Sequence, residues 1–235
     1  MTLLEKLGRL WSLRGLFLES LGYSLIIALG SLIIGLVIGI IVAVIKIAPK
    51  NSFAMKILDK IAGIYITVIR GTPTLVQLLI MYSSILVAFK SMDTNLIVPI
   101  VSFGINSGAY MAEIIRAGIQ SVDSGQMEAG RSVGLSWITT MRKIIIPQAI
   151  KVVIPTMFNE IITLVKETSV VSTIALMVGG KQKYDLLGIA DKLGLSNAGC
   201  YTVFLFAAAA MYLIVVMLLT CLQKFIERKL TKNER

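Results

Sequence analysis

From Leu21 to Ile45 the chain carries no charged residue. Hydrocarbon offers no partner to backbone N–H and C=O groups, so only helices and closed barrels cross a bilayer. About 20 consecutive apolar residues suffice for a helix, and this run exceeds that. It commits the chain to the membrane before anything else is read. The remaining sequence agrees. Charged residues make up 15% of the 235, against about 25% in soluble domains. They fall in clusters separated by long uncharged runs, the pattern of spans and loops.

Five such runs, at about 21–45, 61–89, 95–115, 152–179 and 200–223, predict an all-α transmembrane domain occupying 1–235. Gly35 and Gly39 form a small-xxx-small pair suited to close helix packing. Arg70-Gly71-Thr72-Pro73 interrupts the second run, and a polar link with Lys90 and Asp93 follows it. Ahead of the first span, Leu3, Leu4, Leu7, Leu10, Trp11, Phe17, Leu18 and Leu21 recur at helical spacing among Lys6, Arg9, Arg14 and Glu19. This predicts an amphipathic helix in the membrane interface, with packing on a neighbouring subunit as the alternative.

Loop charge sets the orientation. Fourteen Lys and Arg residues fall in the 46–60 loop, the 116–151 loop and the tail, against seven on the opposite side. Cytoplasmic loops attract Lys and Arg, so the N-terminus is expected outside and the C-terminus in the cytoplasm. The net charge of +10 then reflects basic loops, and no nucleic-acid partner is expected. Histidine is absent, which removes imidazole chemistry and nearly all zinc sites. Cys200 and Cys221 on one helix would stand roughly 30 Å apart, too far for a disulfide.

The polar stretch 120–151 is the most informative part. Asp123 or Ser124 is suited to cap a short helix beginning near Gly125, and Gly134 allows a sharp exit. A second amphipathic stretch, Trp137 to Ile146, is expected to end at Pro147. The pair forms a basic, partly apolar helix–turn–helix fit to dock in another protein's groove.

Glu128-Ala129-Gly130, three residues, Gly134, nine residues and Ile144-Ile145-Ile146-Pro147 resemble the EAA loop of ABC-importer permeases. Gly130 replaces the second alanine and Ile146 the leucine. Three further blocks resemble the polar amino-acid branch, of histidine, glutamine and arginine type. They are Arg70 to Gln77, Ala112 to Gln126, and Asn159-Glu160 with Lys166-Glu167-Thr168-Ser169 and Val171-Ser172. The four blocks appear in the family's order over most of the chain.

The resemblance implies a type I importer permease fold and a mechanism. Two permease subunits, a homodimer being expected, form the pathway. Two cytoplasmic ATPase subunits bind ATP and Mg, and an extracytoplasmic binding protein delivers the amino acid. Residues 127–134, with Glu128, Ala129, Gly130 and Gly134, are the expected coupling helix. The chain itself needs no cofactor and no metal and is not an enzyme. Gly179-Gly180-Lys181-Gln182 lacks the spacing and the Ser/Thr of a phosphate loop and is read as an external turn.

Ionisable groups in hydrocarbon cost a few kcal/mol and face a partner or a wet cavity. Glu160, with Asn159 beside it and Thr163 on its face, is the first candidate for touching substrate; a structural pair with Arg70 or Lys166 is the alternative. Thr74 and Gln77 follow Pro73, where freed carbonyls and polar groups suit a pathway, or else helix–helix hydrogen bonding. Arg70, Pro73, Glu113, Lys166 and Glu167 are expected in structural or gating work, Glu113 pairing with Arg116. Among the charged groups Arg70, Glu113, Glu160, Lys166 and Glu167, acids outnumber bases, which leans toward a cationic amino acid. An ion-coupled secondary transporter using Lys166 and Glu167 is the competing class. It would call for an internal repeat, which the sequence lacks.

Overall fold

The computed structural model describes residues 2–88, 96–197 and 199–231. Lys90 and Asp93 of the polar link and the far end of the tail, Lys232 and Arg235, lie outside them. The described chain is almost wholly helical. Leu3–Ser12 forms α1, Arg14–Ile47 α2, Phe53–Arg70 α3, Thr74–Ala88 α4 and Ile97–Gln120 α5. Then come α6 (Ser124–Ser132), α7 (Trp137–Thr140), α8 (Ile146–Glu167), α9 (Leu186–Ser196) and α10 (Tyr201–Thr231). Among the described residues four helical segments are long and apolar enough to cross a membrane, or five if the broken pair α3 and α4 counts as one span.

Several boundaries differ from the sequence expectation, each for a local reason. The amphipathic run stops at Ser12, and the spanning helix already begins at Arg14. Thr2 and Glu5 close a reciprocal capping box on α1, satisfying two end donors. The second amphipathic stretch does not end at Pro147. A five-residue π-helical stretch, Met141–Ile145, leads directly into α8. Its wider winding admits the proline ring near the first turn of a new helix, where a missing N–H costs least. The fourth span is not helical to residue 179. It ends at Glu167, tightens into a 3₁₀ stretch, Thr168–Thr173, and then becomes extended. Leu176–Val178 (β1) pairs antiparallel with Lys181–Lys183 (β2). Gly179 and Gly180 join them with φ of 58° and 72°, the left-handed pair a two-residue hairpin requires.

The chain divides into two compact units. The first holds the described residues up to Ile33, Thr72–Gly104 and Ile162–Leu218; the second holds Ile34–Gly71, Ile105–Ile161 and the described residues from Leu219. In the first unit Ile27, Leu78, Val98, Phe103, Leu164 and Val171 form one buried cluster. Phe17 and Phe204 meet edge to face at 5.8 Å in another. In the second unit Val42, Ala62, Ile66 and Ala112 bring α2, α3 and α5 together. The small residues make that approach possible. A Cβ on Gly39 would lie 2.5 Å from Met111 Cβ, and one on Gly35 2.9 Å from Ser107 Cβ. The Tyr65 hydroxyl donates to the Ile105 carbonyl at 2.6 Å, tying α3 to α5.

Candidate translocation and coupling sites

In the second unit α5 and α8 face each other with polar groups. The window Ser102 to Tyr110 buries Asn106, Ser107 and Gly108 in mid-helix. The Ser107 hydroxyl donates to Glu160 Oε1 of α8 at 2.9 Å. Asn159, next to Glu160, turns elsewhere, since neighbouring helical positions point about 100° apart. Its Oδ1 accepts from Gln223 of α10 at 3.1 Å, and the same amide donates to the Pro155 carbonyl. Residues 159 and 160 thus reach two different helices. Ser107 and Gln223 were not singled out from sequence. The signal available was polarity in mid-span at Asn106 and Ser107.

Glu113 and Arg70 sit in the same unit. Arg116 reaches both carboxylate oxygens of Glu113, at 2.7 and 2.9 Å, the i+3 pair expected. Arg70 adds a longer contact at 3.6 Å and lies over the Tyr110 ring at 5.2 Å. Arg70 therefore stacks on α5 and pairs there with Glu113.

The first unit holds the other candidates. Pro73 stands directly before α4, and its carbonyl accepts from the Gln77 N–H. The Gln77 side chain donates to the Thr72 carbonyl and hydroxyl at 3.2 and 2.7 Å. Gln77 thus closes the break it follows. Thr74 and Thr163 are half-buried, Lys166 is exposed and Glu167 half-buried.

In the polar loop, Asp123 caps α6, its carboxylate accepting from the Gly125 N–H at 2.6 Å. Glu128 and Ala129 are exposed. Gly130 is not: a Cβ there would lie 2.5 Å from Thr140 Cγ2. Gly130 is where α6 meets α7, so this departure from alanine has a packing cause. Gly134 adopts φ 84° and turns the chain out of α6.

Residues 35–232 match the family model described as the binding-protein-dependent transport system inner membrane component. The chain belongs to this family. It is a multi-pass membrane permease subunit of the ABC-importer type, and it works with ATPase and permease partners. Members of this family do not hydrolyse ATP themselves; a separate subunit does. The chain is 36% identical to a putative glutamine transport system permease protein, GlnP, of Rickettsia typhi over 92% of its own length and 91% of that protein's. It is equally 36% identical to the arginine transport system permease protein ArtQ of Bacillus subtilis, over 92% and 93%. Its fold superposes on a crystal structure of an amino acid ABC transporter with histidines at a TM-score of 0.81, with 35% identity over 94% of this chain and 97% of that one. A chain of the MetNI methionine ABC transporter shares the fold at TM-score 0.73 and 19% identity.

Proposed function

We propose that the chain is one of two identical permease subunits of an importer that carries polar L-amino acids, basic ones above all, into the cytoplasm by alternating access. Two ATPase subunits bind ATP and Mg and drive the cycle. An extracytoplasmic binding protein delivers the substrate. The N-terminus lies outside and the C-terminus in the cytoplasm. The amino-acid class follows from relatives named for glutamine and arginine transport.

The preference for a basic side chain rests on one observation: the Glu160 carboxylate, half-buried in mid-helix and held by Ser107. A guanidinium or ammonium group offers it charge-assisted hydrogen bonds. Asn159, beside Glu160 in the second unit, is a further proposed substrate contact; Thr74, Gln77 and Thr163 of the first unit are proposed as substrate contacts each by itself. Glu128 and Ala129 present the face of α6 that enters the ATPase, with Gly130 and Gly134 shaping it. Arg70, Pro73, Glu113, Lys166 and Glu167 serve structure or gating.

Uptake of labelled arginine and glutamine into proteoliposomes containing the assembled transporter tests the reading. Glu160→Gln keeps the acceptor for Ser107 and removes the charge. Arginine uptake is expected to fall roughly 10- to 100-fold, the worth of a charged hydrogen bond, with glutamine uptake nearly unchanged. An equal fall for both would overturn the basic preference and assign Glu160 to the common amino group or to structure.

A further inference from the structure

Where α2 ends and α3 begins, the second unit carries a groove of about 440 Å³ lined by Lys46, Asp59, Lys60, Gly63, Ile64, Thr67 and Val68. We propose that this groove binds an anionic phospholipid, its phosphate at Lys46 and Lys60 and an acyl chain along Gly63, Ile64 and Val68.

Charge comes first. The Asp59 carboxylate is shared between two lysines, Lys46 at 2.9 Å and Lys50 at 2.8 Å. One cationic charge remains uncompensated in that trio. Lys60 adds a second at the rim of the same groove, exposed and without a carboxylate partner among the described residues.

The apolar wall comes next. Ile57, Ile61, Ile64 and Val68 recur at helical spacing along the outer face of α3, and Ile64 and Val68 remain 57% and 54% exposed. Gly63 leaves the floor open, with only Lys46 Nζ near the position of a Cβ, at 3.6 Å. From Lys60 to Val68 the helix rises about 12 Å, the depth at which a headgroup gives way to acyl chain. Cationic head and apolar wall thus follow one another in the order of a lipid molecule.

The test is native mass spectrometry of the assembled transporter after exchange from phosphatidylglycerol or phosphatidylcholine nanodiscs. Wild type is expected to retain phosphatidylglycerol and not phosphatidylcholine. Lys60→Gln should lower retention roughly fivefold, the worth of one lysine near an anionic surface. Gly63→Leu, which fills the floor, should abolish it. Lys224→Gln changes net charge equally but lies in α10 outside the groove, and should leave retention unchanged. Equal losses in Lys60→Gln and Lys224→Gln would overturn the proposal in favour of diffuse attraction. Displacement of the lipid by glycerol 3-phosphate would overturn it in favour of a free phosphate site. A disulfide between two chains carrying Ile64→Cys would show that a second copy covers the groove.

Discussion

Gly130 shows how single atoms decide a local preference. Alanine would gain about 1 kcal/mol over glycine in a helix interior. Its methyl would also press within 2.5 Å of Thr140 Cγ2, and overpacking costs about 1–3 kcal/mol. The second effect outweighs the first, because Thr140 is fully buried and its hydroxyl is held by the Ser136 carbonyl. Gly130→Ala should therefore lower the thermal unfolding temperature of the transporter, and adding Thr140→Ala, which removes both the methyl at 2.5 Å and the hydroxyl at 2.8 Å, should restore part of it. Asp185 makes a second residue-scale case. Only 1% exposed, it caps α9 by accepting from the Leu187 and Gly188 N–H groups. The Ser24 hydroxyl of α2 accepts from the adjacent Leu186 N–H. Burial pushes the Asp185 pKa from 3.8 up to about 7, against its own backbone hydrogen bonds. Between these values the folded state holds a proton that the unfolded state has lost, so stability falls as pH rises from about 4 to about 7 and levels above. Asn keeps the cap without titrating. Asp185→Asn should flatten that fall in unfolding temperature measured from pH 5 to pH 8, whereas an unchanged slope would place the proton elsewhere.

At the scale of elements, what sequence reveals depends on how local the cause is. The cap at Asp123 was legible because a side chain two residues from its N–H partner decides it. Asp123→Ala should cost about 1 kcal/mol of α6 stability and weaken ATPase stimulation by the loaded binding protein, with Asp123→Asn restoring it. The turn at Gly179 and Gly180 was legible for the same reason, but not the hairpin, because Val170 to Met177 reads as apolar whether helical or extended. The π-helical entry to α8 was hidden as well: Pro147 signals a boundary, and only the neighbouring packing decides that the helix continues. In the candidate site, Glu160 was found because a charge in an apolar run is conspicuous. Its partner Ser107 lies 53 residues away, and nothing local announces it. Serine is common on helix faces, and its role emerges only when α5 and α8 meet. Gly39→Leu should separate α2 from α5 and destabilise the second unit by about 1–3 kcal/mol, read as a lower unfolding midpoint.

For the whole molecule, four sequence blocks sufficed to resemble the family because they lie in the family's order over most of the chain, and the family match spans residues 35–232. Exposed Glu128 and Ala129 on a capped helix, with Gly134 ending it, have little purpose in an isolated chain. They suit a lever moved by an ATPase. The competing mechanism, coupling to an ion gradient through Lys166 and Glu167, needs no such lever. One measurement separates the two most directly: amino-acid accumulation in proteoliposomes holding this chain, its ATPase and its binding protein, energised either by internal ATP or by an imposed proton or sodium gradient. Accumulation is expected with ATP and binding protein present, and none with either gradient alone. Accumulation driven by a gradient in the absence of ATP would contradict the ATP-driven mechanism.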